Sequence, residues 1–258
     1  MHPWAIFVEA LKSWRINWRK LAGIYLLIYI PLTVLDIVNA LWMVKGTRPL
    51  LIQFGGSLVH WVFDALAVAS LILSVKEQSS AVIIGVVETI KMGVKNLWRY
   101  ILTILLYSII IGASVLLIVI IMSVVTVIFT KTTGVTLVLL LAAVAIIACV
   151  VAMVYFAVRF SLAGVICIME KLGPVAALKI SHSLIKPCVP PVIGTYLIIF
   201  LLIVLCFIPV YALGPIISPK SLALILLTSY QVLAGAALVP IWITAQVGLY
   251  KKLKEVVS

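Results

Sequence analysis

Tyr100 to Thr130, YILTILLYSIIIGASVLLIVIIMSVVTVIFT, is a run of 31 residues without one Asp, Glu, Lys or Arg. A helix needs about 20 apolar residues to cross the hydrocarbon core of a bilayer, so this run spans it with length to spare. Three more charge-free runs follow, Thr132 to Val158, Pro187 to Pro219 and Ser221 to Tyr250. Two others, Leu21 to Val44 and Leu50 to Val75, are each interrupted by a single acid, Asp36 and Asp64. That makes six candidate spans. Of the 258 residues 66% are apolar and 10% charged, against roughly a quarter charged in an ordinary soluble chain. A water-soluble globule cannot hide that much apolar chain. The runs are continuous rather than alternating, which excludes barrel strands. In lipid the backbone must then satisfy its own hydrogen bonds as α-helix.

Charge sets the expected orientation. Of the 19 Lys and Arg, fifteen fall in the N-terminal segment, the second and fourth connections and the C-terminal tail. The remaining four, Lys45, Arg48, Lys131 and Lys220, fall in the alternate connections. Positive residues concentrate on the cytoplasmic side, so both termini are expected there, in a cell (cytoplasmic) membrane. Trp14, Trp18, Trp98 and Tyr100 stand where spans meet basic segments, as an aromatic belt does. The net charge of +12 is therefore read as facing anionic lipid headgroups rather than nucleic acid. The basic N-terminus ahead of an apolar run has the outline of a signal peptide, but that run is long enough to span and reads as an uncleaved first helix.

A short pattern recurs ahead of the odd-numbered spans. Val8-Glu9-Ala10-Leu11-Lys12 returns as Val87-Glu88-Thr89-Ile90-Lys91 and as Val175-Ala176-Ala177-Leu178-Lys179. Asn17 and Asn96 follow the first two copies at equal distance, and Gly-x-Tyr-Leu opens the span after the first and third (Gly23 to Leu26, Gly194 to Leu197). Each copy has helical periodicity. Trp4, Phe7, Val8, Leu11, Trp14 and Trp18 stripe the first, and Ile83, Val86, Val87, Ile90, Val94 and Leu97 the second. The third opens on Gly173-Pro174, a helix start signal. The expected fold is an all-α integral membrane protein of six transmembrane helices in three hairpin repeats (1–75, 80–158 and 174–250). A cytoplasmic amphipathic helix in the headgroup plane precedes each hairpin.

Tyr155-Phe156-Ala157-Val158-Arg159-Phe160-Ser161-Leu162-Ala163, followed by Glu170-Lys171-Leu172-Gly173-Pro174 and Ala177-Leu178-Lys179-Ile180-Ser181, resembles the membrane domain fused to some bacterial glycerophosphoryl diester phosphodiesterases. Ala10-Leu11-Lys12-Ser13-Trp14 through Tyr25-Leu26 resembles that domain's opening, as it does related stand-alone membrane proteins of unassigned function. The resemblance implies a membrane module with a lipid connection and carries over no catalytic residue. The fused enzyme's chemistry belongs to a separate barrel, and His2, His60 and His182 are the only histidines here.

An ionisable side chain within a span costs about 2.5–3.5 kcal/mol on insertion scales, so each is a candidate site. His60 and Asp64 lie four apart, on one helix face, and Asp36 lies in the first span with Asn39 close by. They are read either as a ligand or proton site or as interhelical packing bonds. Arg159 and Glu170 flank the end of the fourth span, to pair with one another, to clamp a lipid phosphate or to brace the third amphipathic helix. Gly55-Gly56 reads as a close helix approach, Pro31, Pro190-Pro191, Pro209, Pro215 and Pro240 as candidate kinks, and Cys206 to Pro219 as the end of the fifth span with its outer loop. Cys149, Cys167, Cys188 and Cys206 stand singly and read as small buried hydrophobes, with no metal spacing. Ser181 and Ser183 lack a partner set for nucleophilic catalysis. No phosphate-binding loop, dinucleotide fingerprint or zinc motif occurs, so neither enzyme activity nor a cofactor is expected. The function expected is a non-enzymatic, lipid-associated module or scaffold. The alternative is a small transporter or lipid carrier, in which Asp64, His60 and Asp36 face a central polar cavity.

Overall fold

Buried in lipid, each backbone N–H and C=O needs a partner within its own helix, and the chain answers with long helices. The computed structural model describes residues 2–43, 50–78, 84–130, 135–213 and 220–257, with side chains for 2–37, 56–78, 84–124, 140, 142–209 and 226–256. These residues form α1 (Pro3–Met43), α2 (Leu50–Glu77), α3 (Val86–Thr130), α4 (Val135–Phe160), α5 (Ala163–Met169), α6 (Pro174–Ile185), a 3-10 turn (Lys186–Cys188), α7 (Val189–Leu213) and α8 (Lys220–Val257). No strand occurs among the described residues. Among the described residues six helical stretches are long and apolar enough to cross a membrane: one each in α1, α2, α3 and α8, one running from α4 into α5 and one from α6 into α7.

The break between α6 and α7 falls at a proline, since the 3-10 turn there holds Pro187 and Pro190-Pro191 open α7, but other prolines make no break. Pro31, Pro209 and Pro240 lie inside α1, α7 and α8, while the one non-helical residue within α1 is Asn17 (φ −118°, ψ 17°). Membrane helices tolerate proline because neighbours take up the freed backbone groups. Beside Pro209, the Cys206 carbonyl accepts the Tyr230 hydroxyl of α8 at 2.6 Å. α7 runs to Leu213, so its end falls within the Cys206–Pro219 stretch expected to close the fifth span, and residues 214–219, Pro215 included, lie outside the described residues. Asn96, at the position matching Asn17, stays helical and donates to the Met92 carbonyl at 2.9 Å. Ile83, Lys45, Arg48 and Lys131 lie outside the described residues, as do the side chains of Lys220, Gly55 and Asn39.

Segments ahead of the odd spans turn apolar faces inward. In α1, Ile6, Phe7 and Ala10 are buried, and Phe7 and Ala10 pack with Ile199 of α7 and with Ile241 and Ala245 of α8. Trp4, Ile16 and Trp18 point outward. In α3, Val86, Ile90 and Leu97 pack on the core while Val87, Val94 and Trp98 are exposed.

The spans close into a ring. α1 packs on α2, α2 on α3 and α3 on α4, α7 packs on α8, and among the described residues α8 makes its most extensive contact with α1. The seam between α4 and α7 is sparse. Close approaches are made by small residues: a side chain at Gly93 of α3 would collide with Ser70 of α2, and one at Gly235 of α8 with the hydroxyl of Tyr25. Gly56 corrects the expectation placed on it, since a Cβ there would meet open space. The α1–α2 contact is made instead by larger polar side chains, described below.

At the end of the ring rich in Lys and Arg sits α5. Leu162 to Ile168 are all buried, against α2, α3, α6 and α8. Polar bonds tie the surrounding helix ends together. Lys20 pairs with Glu77 at 3.0 Å, Ser13 donates to Gln78 at 2.7 Å, and Lys252 pairs with Glu9. Lys76 donates to the Met169 carbonyl at 2.7 Å, placing a cation at the C-terminal, partially negative end of α5. Ile166, fully buried in α5, is the sharpest test of this plug. Ile166→Ala is expected to lower stability by about 2–5 kcal/mol, read as a fall in the thermal unfolding midpoint in detergent.

Candidate functional site

Antiparallel α1 and α2 carry their polar residues in facing order. Two turns separate Tyr29 from Asp36 on α1, and one turn separates His60 from Asp64 on α2. The Tyr29 hydroxyl donates to an Asp64 carboxylate oxygen, and His60 Nε2 lies 2.8 Å from Asp36 Oδ1. His60 and Asp64 therefore do not form a pair with each other. Sharing a face, both turn to α1, where each finds its own partner. The Tyr25 and Tyr29 rings stack at 4.1 Å between centroids and 14° between planes, one turn apart, which brings the Tyr25 hydroxyl against Gly235 of α8.

Asp64 and the two tyrosines border a cavity of about 1230 Å³ inside the ring. All six spans contribute to its wall, and Ala163, Gly164 and Val165 of α5 form its floor. Ile72, Ile104, Val158, Phe200, Leu238 and Ile243 make it mainly apolar. Tyr25, Tyr29, Tyr100, Tyr107, Tyr196, Gln231 and Gln246 add polar groups. The buried Tyr196 hydroxyl faces the side chains of Ser161 and Gln246. Of the three intramembrane candidates only Asp64 reaches the cavity. Asp36 and His60 lie beyond its lining, closed on each other.

Sequence reasoning missed the tyrosines, which supply five hydroxyls to the cavity wall. A signal was present: Gly-x-Tyr-Leu marks Tyr25 and Tyr196, and both line the cavity. Cys167 is buried as expected but is more than a hydrophobe. Its sulfur accepts from Thr103 Oγ1 at 3.1 Å and lies 3.4 Å from the Leu172 carbonyl, joining α5 to α3 and to the turn that follows α5. Among the described residues no three His, Cys, Asp or Glu side chains converge as metal ligands.

Arg159 and Glu170 go separate ways. The Glu170 carboxylate is held by Lys254 and by the Tyr250 hydroxyl of α8. Lys254, and after it Tyr250, keep its carboxyl below the usual carboxylate range. Arg159 stacks on Tyr155, its guanidinium carbon 5.1 Å from the ring centroid, and its Nε and one terminal nitrogen are buried without a hydrogen bond. Its backbone carbonyl accepts Ser181 Oγ of α6 at 2.9 Å, which sets the serine's role as packing α6 on α4. Ser183 bonds only the Ile180 carbonyl.

Two outcomes are expected. A double-mutant cycle with Tyr29→Phe and Asp64→Ala should give a favourable coupling of about 1 kcal/mol in thermal unfolding, the usual worth of one hydrogen bond. Glu170, with its lowered pKa, stabilises the fold above about pH 4.3, the ordinary carboxylate value, and that contribution is lost as pH falls through the lower folded value. Between about pH 5 and pH 3 the unfolding midpoint of the wild type should thus fall further than that of Glu170→Gln.

Comparison with family models, curated proteins and solved structures returns no match to this chain.

Proposed function

We propose that this is a non-enzymatic multi-pass protein of the cytoplasmic membrane, with both termini cytoplasmic, that binds a long apolar molecule such as a lipid in its central cavity. The cavity carries the reading. At about 1230 Å³ it exceeds the roughly 300–1,000 Å³ of ordinary small-molecule pockets, and its wall suits an alkyl chain. A solute transporter would need a polar path, whereas here Asp64 and a few hydroxyl and amide groups are set into an otherwise apolar surface. The carrier is thus favoured over the transporter. The resemblance to the membrane domain of glycerophosphoryl diester phosphodiesterases agrees with a lipid-associated module. Three hairpin units with interfacial leading segments remain part of the proposal, as does the anionic headgroup contact of their basic residues.

A scaffold is the second reading, favoured by the Asp36–His60 pair, which closes on itself. Native mass spectrometry of the protein released from detergent separates the two. Wild type should carry a bound mass of lipid size that Ala157→Trp, which sets an indole into the cavity wall, loses by about tenfold or more. Val144→Trp, on the exposed face of α4, should retain it. Equal lipid in all three would favour the scaffold. For orientation, fluorescent-protein fusions at either end should both be fluorescent in the cytoplasm, and a silent fusion at one end would overturn the assignment.

A further inference from the structure

The cavity has a side door. Its lining residues on α4 and α7 are more than half exposed: Val154 51%, Leu197 55% and Phe200 58%. These two adjacent spans are also the pair whose contact is sparse, which leaves a gap in the wall between them. The opening lies toward the basic end of the ring. Val154 and Ala157 are within the last turns of α4, and Ile193 and Leu197 within the first turns of α7.

Arg159 is the penultimate residue of α4, two past Ala157 and outside the cavity lining, at the end of the helix where the gap lies. Two of its guanidinium nitrogens are buried and unpaired, and Glu170, the nearest acid along the chain, is already held by Lys254 and Tyr250. Leaving N–H groups of a cation buried and unmatched costs more than a neutral orphan does, so the site is built for an anion. α6 adds to the positive potential. The His182 ring lies 6.1 Å from that of Phe160, and Lys179 and Lys186, one turn to either side of His182, are exposed on the same helical flank. An apolar slot opening sideways to the membrane, with an unpaired guanidinium at its foot, matches an amphiphile with an anionic head.

We infer that the α4–α7 opening admits an acyl chain of an anionic, phosphate-bearing phospholipid from the adjoining leaflet, and that Arg159 binds its phosphate. This rests on the lipid-binding reading above and specifies the ligand class, the entrance and the residue that selects it.

The test uses full-length protein in nanodiscs of phosphatidylcholine with a minor share of phosphatidylglycerol, followed by detergent release and native mass spectrometry. Wild type should carry phosphatidylglycerol enriched over its share of the bilayer. Arg159→Gln should lower the bound ratio of phosphatidylglycerol to phosphatidylcholine about tenfold, and Arg159→Lys should restore part of it. A ratio guards against partial misfolding, which would reduce both lipids together. Excess inorganic phosphate should leave the bound lipid in place, because the chain in the cavity anchors it. An unchanged ratio in Arg159→Gln, with lipid still bound and still lost in Ala157→Trp, would overturn the role of Arg159 and leave the cavity reading standing. Displacement by inorganic phosphate alone would overturn the lipid in favour of a free anion. No bound lipid in wild type would overturn both readings.

Discussion

Burying α5 at the basic end of a helical ring is the constraint on which the rest of the structure depends. Seven residues from Ala163 to Met169 cannot span a bilayer, and as a short helix they leave a large share of their backbone groups outside intrahelical bonds. They persist because other helices supply what is missing. Lys76 meets the Met169 carbonyl, and Glu170 bonds through its own backbone to Ile166 while its side chain reaches α8. Once in place, the helix spaces α2, α3 and α8 apart at one end. That spacing is what leaves room for a cavity above the floor formed by Ala163 to Val165.

Polar side chains inside the membrane are matched, the acids first. Asp64 has Tyr29, Asp36 has His60, and each arrangement joins α1 to α2 where large side chains do the packing. Hydroxyls bond as well, Thr195 and Thr244 to carbonyls of their own helices and Tyr230 to the Cys206 carbonyl. A polar group unpaired in lipid is costly, and an ionised one most of all, which accounts for that pattern. Arg159 is the exception, with two guanidinium nitrogens buried and unbonded.

Much of the fold was legible in the sequence because lipid imposes it. Thirty-one charge-free residues from Tyr100 can be little else but a spanning helix, and α3 extends over all of them. That His60 and Asp64 share a face followed from a spacing of four. Which residues they would meet did not, because Tyr29 and Asp36 lie on another helix and only the antiparallel register aligns them. Ala163 to Met169 was illegible for a different reason. Residues 163–169 look like the tail of the fourth span, and only the turn at Ser161 and Leu162 separates them. A cavity leaves no periodic trace, since residues lining it and residues facing lipid are equally apolar.

The largest helix contact in the molecule joins α1 to α8, elements separated by some two hundred residues of chain. During synthesis α1 enters the bilayer long before α8 exists. Its Tyr25 and Tyr29 must wait among lipids or provisional neighbours. Closure of the ring is consequently a late event governed by non-local contacts, which makes it slow. On the lipid-binding reading proposed above, that delay lets surrounding lipids enter before the last helix arrives, and a membrane of different composition would supply different contents.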